Sequence, residues 1–331
     1  MSFLSLQNKT NLLIGTHDGV FHCDEILGCF LLKILFPEAS IKRSRNAEIL
    51  KTCDIVIDVG GEYDPQKHRY DHHQRTFQHT MSTLSDELVG TVRLSSAGLV
   101  YHHFGKQVLE KILDSKEEDL IKYVYKKMYV SFIKEIDGID NGIPAHDSEP
   151  LYTIHTDLSS RVHHLYKPWY FVGDWNEDEH FHKAMDLVGG EFTDAVLRSR
   201  DISYRARDIV EKSILNRFDV HESGAIIELS TSCPWKEHFF ELEEKLGITP
   251  EEVKYVLFKG DDSYRIMGVP LTRESFLGRK FLPESWRGLR NEELSRLTAI
   301  EGCIFVHANG FIGGNTTRNG VLQMAIKSLE S

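Results

Sequence analysis

No part of the chain restricts its fold more than the stretch from Asp54 to Phe77, DIVIDVGGEYDPQKHRYDHHQRTF. Ile55, Val56, Ile57 and Val59 form an apolar, β-branched run closed by Gly60-Gly61, the pattern of a buried strand handing over to a loop. Asp58 stands near the end of that run, and thirteen residues later come Asp71, His72 and His73. Apolar burial gives no reason for such groups. Carboxylate oxygens suit hard divalent cations, and imidazole moves the preference toward Mn, Fe, Co or Zn over Mg or Ca. His72-His73 alone would read as a solvated loop; the N-terminus changes that balance.

Leu12 to Thr16 reads as a second buried strand, ending at His17-Asp18-Gly19. The segment Asp24 to Phe36 repeats apolar residues at helical spacing, with Asp24 and Glu25 in the first turn where the helix dipole favours acids, and Pro37 stops it. A short strand near Ile41, a small helix at Ala47 to Leu50 and the strand Ile55 to Val59 follow. This alternation predicts a parallel sheet with right-handed crossovers and helices on both faces. Ligands of such sheets bind beyond the carboxyl ends of the strands, where His17 and Asp58 would lie on separate strands.

Helices are expected at Ser95 to Phe104 and Glu117 to about Ile139; the second runs into EIDGIDNG, with Asp137 and Asp140 one turn apart. Either could face the crevice. Ser148 to Trp175 reads as irregular, and His180 to Val188 and Glu191 to Ile214 as helices broken at Gly189-Gly190. The period then shortens to strands at Ala225 to Leu229, Lys254 to Phe258, Tyr264 to Val269 and Cys303 to His307, before a final helix from about Thr317. The 331 residues therefore divide into two α/β domains, 1–217 and a smaller 218–331.

His17, His22, Asp24, Asp58, His72 and one of Asp137 or Asp140 would gather at one sheet edge. That many acids in one crevice resist ionisation without cations. Two divalent metals bridged by Asp58 would relieve them, and such a pair presents a bridging hydroxide for in-line displacement at phosphorus. A Rossmann dehydrogenase would need G-x-G-x-x-G after the first strand, which is absent. Cys23 reads as a small packed hydrophobe, and His102-His103 and His163-His164, which lack carboxylate neighbours, as surface residues.

The strings GTHDGVFHCDE, VIDVGGEYDP, RYDHHQRTF and FVHANGFIGGN resemble the DHH phosphoesterase superfamily, and its melanocyte-proliferating-gene (MYG) branch in particular, from Gly15 to about Leu329. The resemblance implies a two-domain phosphoesterase using two divalent metals, manganese typically and magnesium as an alternative. It implies 3′-to-5′ exonuclease action on single-stranded RNA, and His73 as a group that either supports the metal ligands from behind or contacts phosphate, rather than a direct ligand. Where the wider superfamily has aspartates after the first histidine, this chain has His22 and Asp24. Where the second domain's glycine motif usually ends in histidine, Gly313-Gly314 is followed by Asn315.

The net charge of −11 excludes nonspecific coating of nucleic acid but not a basic groove. Residues 254–290 hold Lys254, Lys259, Arg265, Arg273, Arg279, Lys280, Arg287 and Arg290 against Asp261, Asp262, Glu274 and Glu284. Arg279, Lys280, Arg287 and Arg290 are the candidate phosphate contacts there, with Phe281 and Trp286 as stacking groups. His307 and the turn Gly313-Gly314-Asn315, feeding a helix N-terminus, are further substrate candidates. Rival readings are a phosphoesterase for short oligonucleotides, cyclic dinucleotides or pyrophosphate, and a non-catalytic RNA-binding protein. Five scattered cysteines without a CxxC pair point to a reducing compartment. No apolar run reaches membrane-spanning length, so no membrane association is expected. Cytoplasm or nucleus follows from the sequence, and a mitochondrial location is added by the resemblance. A homodimer is compatible with all of this.

Overall fold

The computed structural model describes residue 6 and residues 9–249, 251–273 and 275–331. Glu274, one of the acids counted above, lies outside them. The chain divides into two compact units, Met1–Arg200 and Asp201–Ser331, each with its own sheet.

In the first unit, β1 (Leu13–Thr16) leads through α1 (Cys23–Leu35) to β2 (Ser40–Arg43), and through α2 (Ala47–Lys51) to β3 (Ile55–Ile57). Two very short strands follow, β4 (Tyr63–Asp64) and β5 (Arg69–Tyr70). The sheet order is β2-β1-β3-β5-β4. β1 pairs parallel to both β2 and β3, β3 pairs parallel to β5, and β4 closes the edge antiparallel. Successive strand residues point to opposite faces, and β3 uses both. Val56 packs with Leu50 of α2 on one face. Ile57 meets Gly28 of α1 on the other. Helices therefore cover both faces, as the alternating strands and helices predict.

Next come α3 (Met81–Leu84), α4 (Ser96–Leu113) and α5 (Glu118–Met128). A π-helical turn, Tyr129–Ile133, joins α5 to α6 (Lys134–Asp140), so the single long helix expected there is re-phased in its middle. The expected irregular stretch contains a short helix, α7 (Leu158–His163), capped by Asp157. Helix α8 (Glu177–Arg198) runs unbroken through Gly189-Gly190, against expectation. The reason is a close approach: a Cβ on Gly189 would stand 2.1 Å from the Phe30 ring of α1. The glycine makes room for a neighbour rather than ending the helix.

The second unit begins with α9 (Arg205–Leu215) and α10 (Arg217–Val220). Its sheet uses β6 (Ile226–Glu228), β7 (Tyr255–Lys259), β8 (Tyr264–Gly268), β9 (Cys303–Val306) and β10 (Ile312–Asn315), in the order β6-β7-β8-β10-β9. Only β6 and β7 run parallel. Helices α11 (Lys236–Lys245), α12 (Asn291–Thr298) and α13 (Arg318–Glu330) complete it. Val256 joins Phe239, Leu242, Val210 and Ile214 on one side. Its neighbours Tyr255 and Leu257 join Val321, Met324 and Ala325 on the other. Helix α9, grouped by sequence with the first domain, thus packs into the second core. Among the described residues no helix is long and apolar enough to cross a membrane.

Candidate metal centre

Two strand ends and two helix ends meet at the carboxyl edge of the first sheet. His17 follows β1 and is buried; its Nδ1–H donates to the Asp18 carbonyl at 3.1 Å. That bond leaves Nε2 facing inward, 3.2 Å from Glu25 Oε1 and 3.3 Å from Asp58 Oδ2. Burial alone would lower the imidazole's pKa, but Asp58 and Glu25 outweigh it and hold it up at about 10.

Asp58 follows β3 in the left-handed region, at φ 57°, a conformation aspartate adopts more readily than most residues. Its carboxylate is buried and two-sided. Oδ2 faces His17; Oδ1 accepts from Ser96 Oγ at 3.1 Å and lies 3.4 Å from His72 Nε2 and 3.5 Å from His73 Nδ1. Burial disfavours its charge, but His17 and His72 win and keep it well below the usual carboxylate range. His72 also places Nε2 3.1 Å from Asp140 Oδ2, and Asp140 and Asp58 together overcome burial to hold this imidazole up at about 10. Asp71 is no partner to that pair. It accepts from Gly61 N at 2.5 Å and from both N and Nδ1 of His73, at 3.0 and 2.8 Å. His73 is thereby anchored with 62% of its side chain exposed.

Helix α1 brings three more groups. His22 is the helix N-cap, with an exposed ring whose centroid is 5.6 Å from that of His17. Its backbone N–H donates to both oxygens of Glu25 at 2.9 Å, so the capping box also aims Glu25 at His17. Asp24 is fully buried, and neither of its oxygens has a hydrogen-bond partner. Burial, then the charges of Asp58, Asp140 and Glu25, push its pKa well above the ordinary value.

Three donor sets could each hold a cation: His17, His22, Glu25 and Asp58; Asp58, His72 and His73; His22, Asp24 and Asp140. The first two share Asp58. A buried carboxylate lacking any partner is costly unless a cation meets it, and Asp24 is such a group. The other ring nitrogen of His72, Nδ1, likewise has no hydrogen-bond partner despite burial. The residues present fit a divalent cation.

Of the sequence candidates, His17, His22, Asp24, Asp58, His72, His73 and Asp140 come together here. Asp137 does not. It is fully buried behind the site, where Oδ1 accepts from Ser95 N at 2.9 Å and Ser95 Oγ at 2.8 Å and so caps α4; burial raises its carboxyl to about 7. A Cβ on Gly98 would lie 2.4 Å from that oxygen, so the glycine makes its seat. Asp140 is the member of the pair that faces His72. Glu25 and Ser96 were missed. Glu25 reads as an ordinary first-turn acid, and only the H-x-x-E capping box beside a histidine-bearing turn signals more. Cys23 is buried as expected, and burial raises its thiol to about 12. His163 and His164 are exposed. His103 is not a surface residue: its Nε2 accepts from Tyr63 Oη at 2.9 Å, and burial lowers it to about 4.

The second-unit candidates fare differently. Arg279 is buried and forms a bidentate pair with Glu243 at 2.5 and 2.7 Å, beneath the rings of Phe239 and Phe240. Lys280 Nζ donates to the carbonyls of Leu329 and Ser331, neutralising the end of α13. Arg287 Nε donates to the Leu282 carbonyl, with the guanidinium over Phe281. Trp286 is core, not a stacking platform. Arg290 stays exposed, near the Phe305 ring. His307 is exposed, with Nδ1 accepting from Asn309 N. Gly313, Gly314 and Asn315 form β10 rather than a turn. Asn315 is buried with its amide spent on the Glu301 carbonyl and on Thr317, and Thr317 caps α13. Arg279, Lys280, Trp286 and Asn315 are thus spoken for by the fold.

The family model MYG1_exonuc, described as an uncharacterised protein family (UPF0160), matches residues 13–329. The chain belongs to this family. MYG1 exonuclease of Homo sapiens is 47% identical over 323 residues, covering 96% of this chain and 85% of the relative. MYG1 exonuclease of Bos taurus is 48% identical over 325 residues, covering 96% and 84%. Among solved structures, RecJ in complex with Mn2+ from Thermus thermophilus aligns with 96% of this chain and 52% of its own, at 12% identity and a TM-score of 0.25. A likeness at that level says nothing of the chemistry of this MYG1-family chain.

Proposed function

We propose that this protein is a metal-dependent 3′-to-5′ exoribonuclease that hydrolyses the terminal phosphodiester of single-stranded RNA, using two divalent ions, manganese by preference. The observation that carries the reading is Asp58. One carboxylate turns its two oxygens to two separate histidine groups, as a bridge between two cations requires. The exonuclease names of the MYG1 relatives point the same way.

His17 is held by its Nδ1–H on the Asp18 carbonyl, so Nε2 is the atom offered to a cation. His22, Glu25, Asp24 and Asp140 supply the remaining charge, and His72 offers Nε2 between Asp58 and Asp140. These residues would hold divalent cations, which would supply Lewis acidity to the phosphodiester oxygens and lower the pKa of a bound water toward neutrality. His73 is fixed by Asp71 and largely exposed, so it can donate to a phosphate oxygen at the mouth.

A second reading has its own support. With Arg279 and Lys280 committed inside the fold, a long basic groove loses half of its named contacts. That favours a small substrate such as a short oligonucleotide. Cleavage of 3′- and 5′-labelled RNA with manganese, next to a dinucleotide control, separates these readings. Release of mononucleotides from the 3′ end supports the proposal; turnover of dinucleotides alone supports the second reading. Activity surviving exhaustive chelation would overturn both.

A further inference from the structure

Beside the metal crevice lies a larger and more apolar trough. The crevice itself is a cavity of about 280 Å³ whose lining includes His22, Asp24, His73 and Asp140. The trough has a volume of about 1100 Å³, and the two share the walls Ile139, Ser159 and His163. Val92, Ile143 and Ile154 make its apolar lining, and Lys134, Thr156 and Ser160 give polar points along its rim. A concave, mainly apolar site with a few polar groups is the ordinary form of a small-ligand pocket, and this one is slightly larger than the roughly 300–1,000 Å³ usual for them.

Part of its lining is Gly138, in the middle of α6 between Asp137 and Ile139. Glycine in a helix costs about 1 kcal/mol relative to alanine. The fold does not demand it here: a Cβ would meet only Val92 Cγ1, at 3.9 Å, an ordinary contact. This contrasts with Gly98 and Gly189, where a Cβ would collide with a neighbour. What glycine preserves at 138 is open space above the backbone, in the wall next to Asp140. The π turn at Tyr129–Ile133, a local feature common near functional sites, re-phases the same helix just before it.

We propose that this trough binds the terminal nucleoside of a single-stranded nucleic acid, the base lying over the backbone of Gly138 while its phosphate reaches the metal crevice. This deepens the nuclease reading and rests on it for the phosphate. The shared walls favour this occupant over a second copy of the chain, since they set the trough directly beside the cavity that holds His22, Asp24, His73 and Asp140. The chemistry is apolar contact of the base face with aliphatic groups, with Lys134, Thr156 and Ser160 available as polar partners for sugar and base edges.

The test uses the full-length protein with Gly138→Leu, which adds bulk to the lining, Gly138→Ala, and Val92→Trp from the neighbouring lining residue. The probe is 2-aminopurine riboside in EDTA, followed by fluorescence anisotropy, so that neither metal nor phosphate takes part. Wild type should bind, and Gly138→Leu and Val92→Trp should weaken binding about ten-fold or more. Gly138→Ala should change it little, and both Gly138 variants should melt at or above the wild-type temperature. With manganese, Gly138→Leu should raise KM for RNA with an intact 3′ nucleoside and leave RNA ending in an abasic ribose unchanged. Equal riboside binding by wild type and both filling variants, or none by wild type, overturns the proposal. So does a change of oligomeric state, by light scattering, in place of lost binding. Riboside binding without RNA cleavage would keep the pocket and sink the nuclease reading; cleavage indifferent to the terminal base would do the reverse.

Discussion

The two units handle charge in opposite ways. In the first, Asp24, Glu25, Asp58 and Asp140 crowd one crevice with His17 and His72, and Asp24 ends without a partner. In the second, several basic groups are matched: Arg279 to Glu243, Arg318 to Glu228, and Lys280 to the last carbonyls of α13. Charge left unresolved by the fold marks a place where a ligand completes it; charge resolved by the fold marks architecture. In sequence the motifs of the first unit were the stronger signal and the basic stretch of the second the weaker, and the pairing gives the physical reason.

The sharpest way to break this contrast is Asp58→Ala. Loss of the shared carboxylate should lower phosphodiester hydrolysis by about 10³-fold or more, on the scale seen when a charge-stabilising group leaves a water-excluded site. The metal-free variant should still fold, because His17 keeps Glu25 and His72 keeps Asp140 as partners while Asp24 loses one repelling charge. Manganese-dependent activity near wild type would remove the two-metal proposal.

The opposite substitution is Arg279→Met. If Arg279 is architecture, its loss strands Glu243 as a buried, unpaired charge and should cost about 3–5 kcal/mol in denaturant unfolding. KM for RNA should not move in the folded fraction. A raised KM with stability unchanged would return Arg279 to the substrate surface.

These outcomes bear on what the sequence could disclose. The parallel core was legible because β-branched runs and helical spacing are local signals, and His17, Asp58 and His72 lie at strand ends where such sheets bind ligands. Glu25 was not legible, since its role depends on the capping geometry that turns it toward His17. Asp137 and Asp140 share a helix face, and only the seat over Gly98 against Ser95 tells them apart. The two-residue strands β4 and β5 are too short to show a period. In the second unit the basic excess was plain, but a composition cannot say which acids lie opposite. Glu243 is distant from Arg279 in sequence, and the pair forms only when α11 packs there.

A smaller effect lies in the pH dependence. His17 and His72 are raised from 6.5 to about 10, and Asp24 and Glu25 are raised as well. A group whose folded pKa is raised contributes stability that is lost as pH rises through that value. In EDTA the crevice should therefore lose stability from pH 6.5 toward 10. Divalent cations compete with the same protons, so their affinity should rise over that window and binding should release protons. Saturation at about 100 times Kd adds roughly 2.7 kcal/mol. Thermal melts with and without manganese across that range, with titration calorimetry in two buffers, measure both. Cation stabilisation independent of pH would place the ions elsewhere.

The smallest effect sharpens the comparison within the basic segment itself. Arg290 is exposed, whereas Arg279 and Lys280 are committed. If the second unit touches RNA through this segment, Arg290→Ala should reduce the slope of log affinity against log salt by about 0.7, the share of one phosphate contact on a single strand. Lys280→Met should leave the slope alone and show itself only as a small loss of stability, below about 1 kcal/mol, from the unneutralised end of α13. Both residues stand in one basic run, so a shared response would mean that net charge alone governs binding. A response from Arg290 only would mean that RNA reads the charge the fold leaves free. No response from either would leave binding to the metal crevice and its neighbouring trough, and would favour a short substrate over a long one.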